Sequence, residues 1–149
     1  MRVILDTNVL LSGVFFDGTP GRVLDLWKQG KFQLVASPEI LGEYATASDE
    51  LARKFLEIDL SKILETISAH AEIYFSPPLD RQVCDDPTDD KFLACAVVSV
   101  ADVIVTGDKA LLRIGKFGAT HILTARQFML RFEKSVLLAA VKPSGIDDG

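Results

Sequence analysis

Arg2-Val3-Ile4-Leu5-Asp6 is a short apolar, β-branched run that reads as a buried strand ending at an aspartate. Val103-Ile104-Val105-Thr106-Gly107-Asp108 repeats the pattern, with a strand from Val103 to Thr106, a turn at Gly107 and an aspartate just beyond. Phe32 to Ala36 and Thr120 to Leu123 read as two further core strands, and Ile73 to Phe75 as a short one before the breaker Pro77-Pro78. The segments between them carry helical spacing. Thr19-Pro20 reads as a cap followed by proline at the first helical position, with Val23, Leu24 and Trp27 on one face and a stop near Gly30. Ser37-Pro38 repeats that signal before Ile40, Leu41 and Tyr44. Leu51 to Leu56 and Leu60 to Ala71 read as two amphipathic helices. Asp86-Pro87 opens another, so apolar from Phe92 to Val100 that it must be central. Asp108 to Leu112 starts a helical turn, and Thr124 caps Ala125 to Phe132.

Strands that alternate with helices imply right-handed crossovers and a parallel sheet covered on both faces. In such sheets the functional crevice lies beyond the carboxyl ends of the strands, where strand order reverses. Asp6 and Asp108 should therefore emerge on one edge of the sheet.

The chain has 149 residues, 48% hydrophobic and 25% charged, as expected of one ordinary globular domain. No apolar run reaches the roughly 18 residues that a membrane span needs. Asp6 interrupts the N-terminal apolar run before it is long enough for an export signal. Cys84 and Cys95 lack metal-motif spacing and are too few for a disulfide scaffold, which fits a reducing cytoplasm. The net charge of −5 does not exclude a nucleic-acid partner, because bound cations neutralise acidic ligands. Lys109, Arg113, Lys116, Arg126, Arg131 and Lys134 form a basic flank that suits phosphate as well as solvent.

Besides Asp6 and Asp108, acids cluster at Asp86, Asp89 and Asp90, and Glu39 and Glu43 share a helix face. Gathering carboxylates is costly because like charges raise one another's pKa. A hard divalent cation removes that cost, and can activate water for phosphodiester hydrolysis. Each acid also has a plainer reading. Asp6 can start a turn, Asp86 can cap a helix with Asp89 favoured by the helix dipole, Glu43 can be solvated, Thr106 can be a strand residue and Asn8 can cap the first helix. Asp90 lies past the cap and beside the core-directed Phe92-Leu93-Ala94.

Four blocks, in order, resemble PIN-domain proteins: Leu5-Asp6-Thr7-Asn8-Val9-Leu10, Ser37-Pro38-Glu39-Ile40-Leu41-Gly42-Glu43, Asp86-Pro87-Thr88-Asp89-Asp90-Lys91-Phe92-Leu93 and Val105-Thr106-Gly107-Asp108-Lys109-Ala110-Leu111-Leu112. The resemblance runs from residue 1 to about residue 130 and is nearest the toxin components of toxin–antitoxin pairs. It implies a three-layer α/β/α domain over residues 1–132 around a five-stranded parallel sheet. The segment over residues 133–149 has no counterpart in the resemblance; Val136 to Val141 is apolar and Pro143 to Gly149 reads as a loose tail, so it is expected to be a partly loose C-terminal extension. The resemblance also implies an endoribonuclease using Mg²⁺ or Mn²⁺ at Asp6, Glu43, Asp90 and Asp108. Asn8 and Thr106 match supporting positions, and Asp86 an extra acid of the subgroup. An antitoxin partner and a homodimer, through apolar faces near Leu51 to Leu64, belong to the same expectation.

Other classes fit less well. Haloacid-dehalogenase-type phosphatases need a second aspartate where this chain has Asn8, and receiver domains need an acidic pair at the first strand exit. No Gly-rich phosphate loop and no Gly-x-Ser-x-Gly elbow is present. The remaining alternative is a non-catalytic module whose acidic pocket grips metal or a partner's arginine.

Overall fold

The computed structural model describes residues 1–55 and 59–141. Their elements follow in the order β1 (Arg2–Leu5), α1 (Thr7–Phe15), α2 (Thr19–Lys28), β2 (Gln33–Ala36), α3 (Pro38–Lys54), α4 (Ser61–His70) and β3 (Glu72–Ile73). A 3₁₀ turn (Pro87–Asp89) then leads into α5 (Asp90–Ser99), β4 (Val103–Val105), α6 (Lys109–Ile114), β5 (Lys116–Phe117), β6 (Thr120–Leu123) and α7 (Ala125–Val141).

The strands form one six-stranded sheet in the order β3-β2-β1-β4-β6-β5. Five strands are parallel, and β5 pairs antiparallel with β6 at the edge. The five-stranded parallel sheet is thus present, with one extra hairpin strand. Two residues carry too little pattern to announce a strand, and Lys116–Phe117 runs back along β6 through Gly118, whose φ of 57° suits glycine.

β1 and β4 are the innermost strands, and their apolar residues are sealed on both faces: Val3, Ile4, Leu5, Ile104 and Val105 have no exposed surface. Near-continuous apolar runs are what a doubly covered parallel strand requires. Leu10, Leu24, Ile40, Tyr44, Phe92, Leu93 and Phe128 pack around them from the helices. Strand order reverses between β1 and β4, since β2 and β3 lie on one side of β1 and β4 returns on the other.

Several expected boundaries move. The helix expected over Leu51 to Leu56 is the end of α3, which runs unbroken from its Ser37 cap to Lys54; Leu56 lies outside the described residues. No proline follows Pro38 before Lys54, and Gly42 alone is tolerated, so helix propagation carries through. Thr19 is the first residue of α2 rather than its cap, a position taken by Gly18 at φ 140°. Thr124 does cap α7: Gln127 N–H donates to its hydroxyl at 3.1 Å and Thr124 N–H donates to the Gln127 side-chain Oε1 at 2.9 Å. That helix continues past Phe132 to Val141 because nothing after Glu133 breaks it. The tail expected from Pro143 to Gly149 lies outside the described residues.

Candidate active site

Asp6 sits at the exit of β1 and caps α1, with Oδ1 accepting from Thr7 N–H at 2.7 Å. Its other oxygen accepts from the Thr106 hydroxyl at 2.6 Å. Thr106 is fully buried just past β4, and its oxygen also accepts from Asp108 N–H at 3.0 Å. One hydroxyl thus ties together the two aspartates that follow the central strands. Asp108 caps α6 through Ala110 N–H at 2.8 Å. Asn8, read as a possible cap, is instead an exposed residue in the first turn of α1, on the rim of the same cleft.

Glu43 arrives from α3. Tyr44, its neighbour, is fully buried and donates its hydroxyl to the Leu5 carbonyl, which locks α3 against the end of β1. Glu43 itself accepts from the Thr7 hydroxyl, and its Oε1 lies 2.5 Å from Lys91 Nζ. Glu39, read as sharing a helix face with Glu43, lines a different cavity.

The structure groups the acids differently from the expected set. Asp6, Glu43, Asp86, Asp89 and Asp108 line one open cleft, together with Thr7, Asn8 and Gly107. Asp90 is not among them. Its carboxylate turns to the preceding loop and accepts from Cys84 N–H at 2.7 Å and Val83 N–H at 3.1 Å. The cause is the 3₁₀ turn at Pro87–Asp89: side chains three apart eclipse there, so Asp86 and Asp89 share a face. An α-helical count from the same cap selects Asp90 instead. Asp86 is the expected cap, accepting from Thr88 N–H at 2.9 Å and from the Thr88 hydroxyl at 2.8 Å.

The electrostatics agree with that placement. Desolvation, reinforced by Asp6, Asp86 and Asp108, pushes the Asp89 carboxyl up to about 6. Burial likewise raises Asp6, against the pull of its bonds to Thr106 and Thr7 and with Glu43 and Asp108 adding to the rise. Asp90 is lowered, because its bonds to Cys84 and Val83 outweigh desolvation. Within the cleft the raised carboxyls are Asp6 and Asp89, whereas Asp90, outside it, is satisfied by backbone donors.

Sequence reasoning missed Thr7 and Lys91 and assigned Asp89 to the helix dipole. The threonine hydroxyl and the lysine both reach Glu43, a long-range pairing that no local pattern announces.

The PIN domain model matches residues 2–110, which takes in β1 through the start of α6 and every acid of the cleft. The chain belongs to the PIN-domain family. It is also 34% identical to the uncharacterized protein MJ1680 of Methanocaldococcus jannaschii, over 91% of this chain and 94% of that protein. PIN domains are generally nucleases and typically use divalent metals.

Among the described residues no three acidic, histidine or cysteine side chains converge closely enough to make a finished metal cage. An open cleft still fits Mg²⁺, which keeps several waters and takes only one or two carboxylates directly. The donor set is all oxygen, which is the chemistry that Mg²⁺ and Mn²⁺ prefer. Among the described residues no helix is long and apolar enough to cross a membrane.

Proposed function

We propose that this PIN domain is an endoribonuclease dependent on Mg²⁺ or Mn²⁺, with Asp6, Asp89 and Asp108 as its metal-holding acids and Glu43 beside them. The observation that carries this reading is the single cleft, at the carboxyl ends of β1 and β4, that gathers these four carboxylates. A bound divalent ion would activate water and stabilise charge on the phosphoryl oxygens. The chain's own part is to keep its acids oriented. Thr106 fixes Asp6 and the backbone of Asp108 together, and Thr7 and Lys91 hold Glu43. Asp86 caps the turn that presents Asp89. Lys91, paired with Glu43, would also put a cation within reach of a substrate phosphate. Asn8, on the rim, can offer its amide to the same substrate.

Incubation with a mixed RNA pool tests the reading. Cutting in Mn²⁺ or Mg²⁺ that stops in EDTA supports it. Undiminished cutting in EDTA removes the metal from the mechanism, and binding without cutting in either metal makes the chain a non-catalytic module.

The role of toxin rests on the four-block resemblance. Under it a small antitoxin would place a basic side chain against the acids in the metal's stead. Expression of the chain alone should then arrest growth, and normal growth argues against the toxin role while leaving the nuclease intact. A homodimer would use the α3–α4 face, where Phe55 stands 55% exposed. A reducing cytoplasm suits Cys84 and Cys95, both free and buried. The domain division stays as proposed, a nuclease unit over residues 1–132 and an extension over 133–149, although α7 crosses it without a break.

A further inference from the structure

The first turns of α5 separate two concavities. Asp86 and Asp89 face the acidic cleft, whereas Pro87, Asp90, Lys91 and Ala94 face a second cavity of about 460 Å³. That volume lies within the roughly 300–1,000 Å³ typical of small-ligand sites. Lys91 joins the two: it lines the second cavity while its Nζ reaches Glu43 in the cleft. The opposite wall is the chain from Ser76 to Gln82, and the bonds from Val83 and Cys84 N–H to the Asp90 carboxylate anchor the end of that wall to α5.

The lining is particular. Pro78, Leu79 and Ala94 offer apolar faces, and Arg81 offers a guanidinium plane. Unstacked bases of single-stranded RNA are commonly held on such planes and faces. Glu39 and Asp80 are acceptors on the same cavity, and none of the side chains of Glu39, Asp80 and Arg81 makes a hydrogen bond or ion pair among the described residues. A carboxylate accepts from the exocyclic amino groups of cytosine, adenine and guanine, and uracil has none to give.

We propose that this second cavity, walled by Leu79, Arg81 and Ala94 and joined to the acidic cleft by Lys91, is a nucleobase site that selects a base bearing an exocyclic amino group. The base it takes is the neighbour of the scissile phosphate, a statement that rests on the nuclease reading; the base site itself does not. Lys91 is placed to meet the phosphate that links the two positions.

Amide NMR titrations in EDTA with cytidine and uridine 5′-monophosphate test the site without any chemistry. Shifts at Leu79, Arg81 and Ala94 are expected, with cytidine monophosphate binding at least about fivefold more tightly. Ala94→Met fills the cavity and should abolish those shifts; Arg81→Ala, a surface change, should weaken them even if the methionine variant folds poorly. With Mn²⁺ and an RNA pool, cut sites should favour cytosine, adenine or guanine on one side of the cut, and the bias should flatten in both variants. Shifts confined to the acidic cleft, or equal binding of the two nucleotides with an unchanged cut bias, overturn the proposal. A protein that binds cytidine monophosphate here but cuts nothing keeps the base site and loses the nuclease reading. One that cuts RNA without bias or cavity shifts does the reverse.

Discussion

Asp89 and Asp90 are adjacent in sequence and opposite in chemistry, so substitutions at the two positions should separate. Asp89 is raised to about 6 by desolvation and by the carboxylates of Asp6, Asp86 and Asp108. A carboxyl whose folded pKa exceeds its unfolded value holds its proton more tightly in the native state. Its ionisation therefore subtracts stability as pH rises from about 4 through about 6. In EDTA, Asp89→Asn should melt higher than the parent at pH 7, and most of that gain should be lost by about pH 4, where native Asp89 is already neutral. A gain that persists at pH 4 would point to packing rather than charge. The same variant should lose RNA cleavage by about 100-fold or more, if the acid acts on bound metal. Asp90 behaves in the other sense. Its carboxylate accepts two backbone N–H bonds, so Asp90→Ala should cost about 1–3 kcal/mol in denaturant unfolding while the cleft acids stay in place. An inactive but fully stable Asp90→Ala would return the third acid to Asp90.

Helix α1, which borders the cleft, depends on a close approach to α2 that propensity alone misjudges. Gly13 lies in α1 against α2, and a Cβ placed there would meet the Pro20 carbonyl oxygen and Leu24 Cδ1, each at 2.7 Å. Helix propensity favours alanine over glycine by about 1 kcal/mol. Overpacking against a fixed backbone carbonyl costs about 1–3 kcal/mol, so the clash should win. Gly13→Ala is expected to lower the urea midpoint with an unchanged slope, and a rise would show that α1 and α2 can part freely. Elements of this size were open to sequence reading in proportion to their burial. The strands β1, β2 and β4 announced themselves as apolar runs with no competing helical period, and β6 as a short β-branched segment, Thr120 to Leu123, just before the Thr124 cap. The hairpin strand β5 has two residues and no such run. The place of Asp89 on the cleft escaped for a similar reason: the switch from 3₁₀ to α geometry at Asp90 is a property of the backbone, and a spacing rule for one helix type cannot register it.

Across the whole molecule the charge balance and the topology have to be read together. A chain of net charge −5 with its acids gathered at one sheet edge repels a polyanion until cations arrive. That gathering was legible from strand exits alone for Asp6 and Asp108, since parallel strands end on the same edge. Glu43 and Lys91 were not so placed, because their meeting depends on how α3 and α5 lie across the sheet. If the cleft takes a divalent ion, binding to the native state alone should raise the melting temperature by mass action. At a metal concentration of about 100 times Kd the gain is about 2.7 kcal/mol, or roughly 5–10 °C for a chain of this length. Mn²⁺ should therefore raise the melting temperature of the parent and of Asp90→Asn alike, since Asp90 faces away from the cleft. Asp6→Asn and Asp89→Asn should lose most of the shift, each removing one oxygen anion from the site while keeping its shape. Scanning calorimetry against Mn²⁺ concentration measures this with no substrate present. An equal shift in all four proteins would place the ion elsewhere, and a loss confined to Asp90→Asn would reverse the assignment of the two neighbouring acids.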